Sequence, residues 1–296
     1  MELKVEGKMF KNEPLAAHTT LRLGGRSKYF LVAANFNDIS KAITYAGENG
    51  LSSFVMGRGS NILFSDKGFS GIVVNTMNMV EISVDNTRMI AQSGASLSDV
   101  INVAKENSLS GLECLIGIPG SVGGASVMNA GAFGCEIGDC IESVKVLREG
   151  KEVKIDNILF DYRRSSFCGE IVTEVKFSLS EGEKRQIANK IKEIAELRRN
   201  KQPVISKNTG TCGSVFKNPE GNSAGELIEK SGLKGMKIGG VEISRKHCNY
   251  FLTAPEATSR DFIDLVKKVR EKVRRETGIT LELEVKVIGE EKEIQV

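Results

Sequence analysis

Residues 117–134 read GIPGSVGGASVMNAGAFG, and the rest of the sequence is interpreted outward from this stretch. Five of its first eight residues are glycine or proline, which is too many for an ordinary turn: Gly117, Pro119, Gly120, Gly123 and Gly124. Glycine-rich loops allow several backbone N–H groups to converge on one anion. The stretch therefore predicts a phosphate-binding loop.

A second glycine loop, Gly57-Arg58-Gly59-Ser60-Asn61, follows a predicted strand at 53–56. It begins like the dinucleotide fingerprint of a Rossmann fold. However, Ile62 stands where that motif has its third glycine, and no helical pattern follows. Taken alone, this loop is explained equally well as an ordinary turn. Taken together, the two loops predict a site for the two phosphates of one dinucleotide.

Strand and helix patterns alternate on both sides of these loops. Predicted strands lie at 28–32, 53–56, 144–147, 170–179 and 279–287. Three predicted helices have a recognisable start: one is capped by Asn37 or Asp38, one by the Ser96–Asp99 capping box and one by the Ser223–Glu226 capping box. A fourth covers about 182–199, and a fifth ends at Gly278. The last strand alternates apolar and polar residues, so that Glu282 and Glu284 share its polar face. The pattern indicates an α+β or mixed α/β fold in two or three domains.

The charge balance and the chain start exclude several classes of protein. The 41 basic and 38 acidic residues among 296 give a formal net charge of +3, which argues against a nucleic-acid-binding protein. Residues 114–135 carry no charge, but their six glycines and one proline do not fit a bilayer-spanning helix. The first ten residues, MELKVEGKMF, contain no apolar signal core, so we expect no secretion signal.

The six cysteines stand at positions 114, 135, 140, 168, 212 and 248. No two of them have the C-x-x-C spacing of a metal or redox site, and a chain of this length does not need disulfides. We therefore expect six reduced thiols, no metal site and a cytoplasmic protein.

Residues 221–225 match the G-x-S-x-G pattern of a serine hydrolase. That motif requires a strand immediately before it, and Lys217-Asn218-Pro219-Glu220 is not a strand pattern. Ser223 instead forms the capping box with Glu226. Composition and spacing alone thus indicate an enzyme of mixed class that binds a phosphate-containing ligand.

Seven segments in order resemble one family, the UDP-N-acetylenolpyruvoylglucosamine reductases (MurB), from end to end of the chain. They are Thr19-Thr20 with Gly24-Gly25, the loop 57–61, the stretch 117–134, Tyr162-Arg163, Gly213-Ser214 with Phe216-Lys217-Asn218-Pro219, Ser244 to Asn249, and Leu281-Glu282-Leu283-Glu284-Val285. The stretch between Arg163 and Ser214 is short, which resembles the subtype that lacks the tyrosine-lid insertion.

The resemblance implies an α+β fold with two FAD-binding subdomains of the vanillyl-alcohol-oxidase (PCMH) type. They would cover residues 1–76, joined by the C-terminal strand 285–296, and residues 77–203. A substrate-binding domain would cover 204–284. FAD would be bound noncovalently, with its pyrophosphate on the glycine loops.

The resemblance also implies an activity in early peptidoglycan synthesis. NADPH would reduce FAD, and the enolpyruvyl ether of UDP-N-acetylglucosamine would be reduced to UDP-N-acetylmuramate. Another FAD-dependent oxidoreductase of the same fold, or a non-catalytic sensor of UDP-sugar or flavin, is the alternative. No nucleic-acid partner is expected. The oligomeric state stays open, and a monomer is compatible with the sequence.

Three catalytic residues are implied by the resemblance. Arg163 would hold the substrate carboxylate, where negative charge develops. Ser214 would donate a proton to the enolate carbon, and Glu284 would orient or polarise the intermediate. Arg164 and Glu282 are the neighbours that could be mistaken for them, and along an extended chain the Arg164 side chain points away from that of Arg163.

The resemblance further implies two sets of binding residues. Flavin contacts would be Gly57, Arg58, Gly59, Ser60, Asn61, Gly117, Ile118, Pro119, Gly120, Ser121, Gly123, Gly124, Asn129, Ala130, Gly131, Ile171 and Arg199. Substrate contacts would be Tyr162, Lys201, Lys217, Asn218 and Asn249. Cys248, Tyr250 and Thr253 depart from the residues usual in the family and leave the contacts of that segment open.

Overall fold

The computed structural model describes residues 3–203 and 206–289, which form a mixture of helices and strands. The helices are α1 Phe36–Glu48, α2 Leu97–Glu106, α3 Val122–Val127, α4 Lys184–Lys201, α5 Ala224–Lys230 and α6 Ser259–Thr277, with 3₁₀ helices at Leu15–His18, Glu113–Leu115 and Ile137–Cys140. The first ten strands are β1 Lys8–Pro14, β2 Arg26–Val32, β3 Ser53–Met56, β4 Ile62–Phe64, β5 Phe69–Asn75, β6 Ile82–Asp85, β7 Arg88–Gln92, β8 Leu109–Ser110, β9 Gly131–Ala132 and β10 Cys135–Glu136. The remaining strands are β11 Ile141–Arg148, β12 Lys151–Ile155, β13 Phe160–Asp161, β14 Arg164–Ser165, β15 Ile171–Ser178, β16 Ser180–Glu181, β17 Lys237–Ile238, β18 Val241–Ile243, β19 Phe251–Thr253 and β20 Lys286–Ile288.

The chain divides into two compact units, each built from several segments. Among the described residues, unit 1 contains 3–11, 29–58 and 71–198, and unit 2 contains 12–28, 59–70, 199–203 and 206–289. Four boundaries fall inside the first 76 residues, after residues 11, 28, 58 and 70, so that parts of this segment belong to both units. The three-domain division at 76, 203 and 284 stays a prediction.

Unit 1 contains a core formed by α1 and neighbouring strands. In a four-stranded sheet of order β1-β2-β5-β3, strands β3 and β5 are parallel. The apolar face of α1 packs Ile39, Ala42 and Ala46 into this core. Asn35 caps α1, so the predicted cap at Asn37 or Asp38 is wrong. The buried Asp38 carboxylate accepts hydrogen bonds from the backbone N–H groups at 6, 7 and 34 instead.

A second core of unit 1 lies on the antiparallel sheet of order β12-β11-β15-β7-β6. Helix α2 is capped by Ser96, whose hydroxyl accepts the Asp99 N–H at 3.0 Å. In a capping box the Asp99 carboxylate would accept the Ser96 backbone N–H. Here it accepts the Ser96 hydroxyl instead, at 2.6 Å. Helices α2 and α3 bury Leu97, Ile101 and Val122 in this core.

Unit 2 is centred on helices α5 and α6 and the three-stranded sheet of order β17-β18-β19. Ser223 caps α5, as predicted, and Gly278 ends α6 in the left-handed conformation, with φ 74°. Leu21 and Leu63, which come from distant parts of the sequence, complete this core.

The predicted continuous strand at 279–287 is only partly present. Its alternation is correct, since Leu281 and Val285 are buried in the core of unit 2 whereas Glu282 is exposed. The ladder is interrupted: Leu283 forms an isolated bridge with Phe216, the chain bends at Val285, and only Lys286–Ile288 pair with a strand. That strand, β20, is parallel to β4 at Ile62–Phe64; of the predicted C-terminal strand, residues 290–296 lie outside the described residues.

The prediction of six reduced thiols is wrong for two cysteines. Cys114 and Cys135 form a disulfide, with their Cα atoms 6.5 Å apart. The 3₁₀ helix Glu113–Leu115 lies against β10, and this proximity across 21 positions of sequence has no local signature. Cys140, Cys168, Cys212 and Cys248 have free thiols.

Candidate functional site

Within unit 1, Gly57 at the start of the first glycine loop lies against Ser121 of the second. The buried Asn75 side chain holds the Gly57 carbonyl through a hydrogen bond of 3.0 Å. A Cβ atom built on Gly57 would overlap the Ser121 hydroxyl, so only glycine permits this approach. Ser121 precedes α3, and its side chain makes no capping hydrogen bond. The structure thus brings together the two loops that the sequence assigned to one dinucleotide.

Each glycine loop has a backbone N–H group available for binding an anion. In the part of unit 1 that the structure describes, the Arg58 N–H makes no backbone hydrogen bond outside helices and strands, and Gly124 is the third residue of α3, where a backbone N–H has no acceptor within the helix. Gly59 has a φ of 67°, a left-handed conformation that suits glycine. Amide donors of this kind bind phosphate oxygens. The donor set therefore fits the pyrophosphate of a dinucleotide.

Gly123 and Gly124 differ although they are adjacent. The Gly123 N–H donates to the Ser93 carbonyl at 2.9 Å, and a Cβ atom on Gly123 would lie 2.7 Å from the Ser93 Cβ atom. Gly123 is therefore required for packing α3 against the chain at Ser93, and its N–H is already used. A Cβ atom on Gly124 would meet only the Ser121 hydroxyl, at 3.5 Å.

Arg198 is a buried cation beside the second glycine loop. It is not among the cofactor-binding residues predicted from the sequence. Its side chain is 7% exposed, and its guanidinium lies 5.3 Å from the centre of the Phe133 ring. A Cβ atom on Gly117, whose φ is 80°, would lie 2.9 Å from the Arg198 Cδ atom. The predicted flavin contact Arg199 is exposed, and its carbonyl accepts the Lys246 ammonium at 2.7 Å.

Arg163 lies in a tight turn between β13 and β14, with a φ of 56°. The guanidinium donates to the Gly131 carbonyl at 3.1 Å, lies 4.0 Å from the Glu136 carboxylate and stacks 4.8 Å from the Tyr162 ring centre. The chain is not extended here, because residues 162 and 163 form the turn, so the predicted reason for opposite Arg163 and Arg164 side chains is wrong. Arg164 begins β14 and is exposed, so the two arginines differ for another reason.

The predicted contact Asn129 is fully buried, and the protein uses its side chain. Its amide nitrogen donates to the Asp161 carbonyl at 3.1 Å and to the Glu136 carboxylate, and its oxygen accepts the Gly138 N–H at 3.1 Å. Asn129 thus joins the β9–β10 hairpin to the β13–β14 hairpin. This arrangement positions Gly131 and Arg163.

The other residues predicted for unit 1 lie along the same elements. Ile118, Pro119 and Gly120 precede α3, Ala130 and Gly131 follow it, Ile171 begins β15, and Tyr162 is 41% exposed at the turn before Arg163. Leu97 donates its N–H to the Gly120 carbonyl at 3.2 Å, which ties this loop to the start of α2.

Three extended segments of unit 2 meet around Ser214. Ser214 pairs with Tyr250 in an isolated antiparallel bridge, and Gly213 before it has a φ of 78°. The Glu284 N–H donates to the Val215 carbonyl at 2.9 Å, which places Glu284 on the strand segment next to Ser214. Within unit 2, the Asn61 side chain also donates to the Glu284 carbonyl, at 2.9 Å.

Asn249 holds the segment that follows Ser214. Its side chain is 3% exposed, accepts the Phe216 N–H at 2.9 Å and donates to the Phe216 carbonyl at 2.8 Å. Its backbone carbonyl accepts the Val215 N–H at 2.9 Å. The predicted substrate contact Asn249 is therefore a positioning residue for the backbone at 215 and 216.

Glu282 and Glu284 differ in surroundings. The Glu282 side chain is 72% exposed and pairs with the Lys217 ammonium at 2.5 Å. Burial raises the pKa of the Cys212 thiol to about 12, and the negative charge of Glu284 adds to this increase. Glu284 is half-buried, which distinguishes it from the exposed Glu282.

The remaining predicted substrate contacts also lie in unit 2, as do the three residues that differ from those usual in the family. Asn218 is exposed and its side-chain oxygen accepts the Ala224 N–H at 3.0 Å, and Lys201 is exposed at the end of α4. Among the departures, Cys248 is buried and Thr253 donates its hydroxyl to the Leu21 carbonyl at 2.6 Å. Tyr250 lies opposite Ser214, and its ring centre is 4.8 Å from that of His247.

Residues 3–203 and 206–289 contain neither a metal-binding cluster nor a membrane-spanning helix. No group of three or more His, Cys, Asp or Glu side chains could hold a metal ion in this part of the chain. None of its helices combines the length and the apolar character that crossing a membrane requires.

Comparisons with known proteins connect these sites to a family. Residues 27–156 match a family model described as FAD binding domain, and residues 202–288 match one described as UDP-N-acetylenolpyruvoylglucosamine reductase, C-terminal domain. The UDP-N-acetylenolpyruvoylglucosamine reductase of Exiguobacterium sibiricum is 42% identical over 285 residues, which are 95% of this chain and 93% of the relative. That of Streptococcus pneumoniae (strain Hungary19A-6) is 39% identical over 95% of this chain and 94% of the relative.

A solved structure agrees with these matches. The crystal structure of UDP-N-acetylenolpyruvylglucosamine reductase (MurB) from Thermus caldophilus is 31% identical and covers 97% of this chain and 100% of its own. Its TM-score of 0.81 confirms the α+β fold class predicted from the sequence, with an FAD-binding part followed by a C-terminal domain. The chain therefore belongs to the UDP-N-acetylenolpyruvoylglucosamine reductase (MurB) family.

Proposed function

We propose that this protein is an FAD- and NADPH-dependent reductase that converts UDP-N-acetyl-3-O-(1-carboxyvinyl)-glucosamine to UDP-N-acetylmuramate. The observation that carries the proposal is the relationship along nearly the whole chain to reductases of this name, at 42% identity for one of them. The chain retains Arg163, Ser214 and Glu284, whose side-chain types the reaction requires. The product is a peptidoglycan precursor, and we place the reaction in the cytoplasm.

The cofactor would be held by the glycine loops. In unit 1 the amides of Arg58 and Gly124 would receive the pyrophosphate, and Arg198 supplies positive charge beside Gly117. When bound, FAD supplies a hydride, taken from NADPH, to the methylene carbon of the enolpyruvyl group. The chain has to bind the substrate anion, orient it and provide one proton.

Arg163 would bind the carboxylate of the enolpyruvyl group. Its guanidinium is held at two points, by the Gly131 carbonyl and by the Tyr162 ring, which restricts its orientation. A positioned cation stabilises negative charge as it develops on the carboxylate during hydride addition. Lys217, Asn218, Tyr162 and Lys201 would contact the remainder of the nucleotide substrate.

Ser214 would transfer its hydroxyl proton to the carbon next to the carboxylate. A hydroxyl is a weak acid, but an enolate carbon is a strong base, so transfer occurs when the donor is held in place. The bridge to Tyr250 and the Glu284–Val215 bond fix the backbone on both sides of Ser214. Glu284 would orient the intermediate from the adjoining segment.

Two measurements test the function as a whole. The purified protein should show the visible spectrum of FAD, and acid precipitation should release the flavin because it is bound noncovalently. NADPH should bleach the spectrum, and continued NADPH oxidation should require the enolpyruvyl nucleotide. A colourless protein, or one that NADPH reduces but the enolpyruvyl nucleotide does not reoxidise, contradicts the proposal.

The assignment of Arg163 has a matched control in its neighbour. Arg163→Ala should lower turnover by about 10²–10³-fold, the usual loss when a group that stabilises developing charge is removed. Arg164→Ala should retain most activity, since Arg164 is exposed at the start of β14. Steady-state NADPH oxidation measures both variants. Equal losses in the two would mean that the carboxylate is held by a different residue.

A further inference from the structure

The disulfide between Cys114 and Cys135 encloses the whole second glycine loop. Cys114 lies in the 3₁₀ helix Glu113–Leu115, and Cys135 is the first residue of β10. Their Cα separation of 6.5 Å lies inside the usual disulfide range. The enclosed residues 115–134 carry the loop before α3, α3 itself and strand β9. The bond therefore closes a ring around the segment that supplies Gly117, Ser121 and Gly124.

The two ends of this segment are held to different extents. The first half is fixed by backbone bonds, from Val122 to Ala95 at 2.8 Å and from Gly123 to Ser93 at 2.9 Å. The second half ends in the β9–β10 hairpin, whose ladder contains only two residue pairs. A hairpin of this length is not stable by itself, and the Asn129 side chain and the Ile137 N–H, which donates to the Ala130 carbonyl at 2.9 Å, also hold it. The Cys114–Cys135 bond attaches its second strand covalently to the 3₁₀ helix.

The two cysteine residues differ in exposure. Cys114 is 7% exposed, whereas Cys135 is partly exposed in the hairpin. An incoming thiolate or disulfide therefore reaches the Cys135 sulfur first, and Cys114 completes the exchange from the buried side. Burial raises the pKa of the nearby Cys140 thiol to about 11, so Cys140 stays protonated at neutral pH and does not compete.

We propose that Cys114 and Cys135 form a reversible redox modification site that controls how tightly the second glycine loop holds the cofactor. This inference rests on the proposed function, because it assumes that FAD binds at residues 117–124. In the oxidised form the hairpin is tethered and the loop is preorganised. In the reduced form the hairpin loses its covalent attachment, and the cofactor dissociates faster.

The exchange is balanced with a low-molecular-weight disulfide as oxidant. The Cys135 thiolate attacks one sulfur of that disulfide, forms a mixed disulfide and releases one small thiol. The Cys114 thiolate then attacks the Cys135 sulfur, forms the Cys114–Cys135 bond and releases the second small thiol. Two cysteine thiols lose two electrons and two protons, and one small disulfide is reduced to two thiols. Excess small thiol reverses both steps.

The bond itself is tested without reference to the flavin. The full-length protein is equilibrated with oxidised or reduced glutathione, alkylated, and digested without reduction for mass spectrometry. We expect a linked peptide containing Cys114 and Cys135 in the oxidised sample only, and alkylated cysteines in the reduced sample. Chymotrypsin should cut after the exposed Phe133 faster in the reduced form. Absence of the linked peptide overturns the proposal, whether or not the protein binds FAD.

The effect on the cofactor is measured as FAD release after dilution, by the increase in flavin fluorescence. Release from the reduced holoenzyme should be roughly tenfold faster than from the oxidised one, a small part of the stabilisation a disulfide closing such a loop can give. Cys114→Ser and Cys135→Ser should release FAD at the reduced rate under both conditions. Cys168→Ser, at an exposed free thiol, should keep the wild-type difference. Equal release rates for the two redox forms of the wild type overturn the proposal.

Discussion

Arg198 is buried on α4 between exposed neighbours. It follows Ile187, Ile191 and Ile194 on the helix at spacings that place all four residues on one face. The sequence predicts a helix over about 182–199, and Arg199 within it is the flavin contact that the family resemblance implies. Arginine is seldom fully buried, so the place of Arg198 on the apolar stripe was the signal that could have identified it.

Replacing each of the two arginines by methionine distinguishes their roles. Arg198→Met should weaken FAD binding by about tenfold or more, because it removes a buried positive charge beside Gly117. Arg199→Met should change FAD affinity little, since the side chain is exposed. Titration of flavin-free protein with FAD measures both. A larger effect at Arg199 would favour the contact implied by the family resemblance.

Glu113 is a buried carboxylate next to the disulfide. Burial by itself would raise the pKa of Glu113, but hydrogen bonds from Ser110, its own N–H and the Gly111 N–H, and the charge of Lys190, lower it overall. A carboxylate with a lowered pKa in the folded state stabilises the protein fully above its unfolded pKa of about 4.3. That contribution is lost as the pH falls through the lower pKa of the folded state.

Acid titration of stability tests this linkage. The free energy of unfolding should fall between about pH 5 and pH 3, and part of that fall should be absent in Glu113→Gln, which cannot ionise. Urea unfolding at several pH values measures both proteins. Glu282→Gln, at an exposed carboxylate, is the matched control and should follow the wild type. An identical acid dependence in Glu113→Gln would contradict a lowered pKa at Glu113.

At the scale of elements, α3 shows why adjacent glycines are not equivalent. Gly123→Ala places a Cβ atom 2.7 Å from the Ser93 Cβ atom, and overpacking of this kind typically costs about 1–3 kcal/mol. Gly124→Ala meets only a hydroxyl at 3.5 Å. In flavin-free protein, thermal unfolding should therefore show a clearly lower midpoint for Gly123→Ala and an almost unchanged midpoint for Gly124→Ala. Equal midpoints for the two variants would contradict the packing role of Gly123.

The sequence predicted elements best where a periodic apolar face coincides with a cap. Helix α6 ends at Gly278, strand β3 spans Ser53–Met56, and α5 begins after Ser223, all as predicted. The segment 279–287 shows what apolar and polar alternation cannot predict. Alternation correctly predicted which side chains are buried, but whether a backbone ladder forms depends on a partner strand elsewhere in the sequence.

At the scale of the whole molecule, both units are assembled from distant segments. The core of unit 2 needs Leu21 and Leu63, and β20 pairs with β4 across more than two hundred residues of sequence. Local periodicity carries no information about such pairing. For the same reason, neither the Cys114–Cys135 disulfide nor the interruption of the last strand could be predicted from local sequence patterns. The site residues come from the family resemblance and stay predictions, whereas the structure shows that the side chains of Asn129 and Asn249 hold the backbone.

The proposed reaction can be separated into two halves that involve different groups of the protein. Reduction of the bound flavin by NADPH needs no proton donor to carbon, whereas transfer to the enolpyruvyl substrate does. Ser214 has no left-handed conformation, unlike Gly213 before it, so alanine fits its backbone without strain. Ser214→Ala should therefore fold and bind flavin as the wild type does.

Stopped-flow absorbance should show prompt bleaching of Ser214→Ala by NADPH, followed by reoxidation with the enolpyruvyl nucleotide slowed by about 10²–10⁴-fold, the usual contribution of a general acid. Ser214→Cys should recover part of the second rate, because a thiol also carries a transferable proton. The first half-reaction serves as the internal control, since a folding or flavin-binding defect would slow both halves. Reoxidation of Ser214→Ala at the wild-type rate would mean that the proton comes from another group. Glu284, whose backbone is bonded to the residue after Ser214, would be the next donor to test.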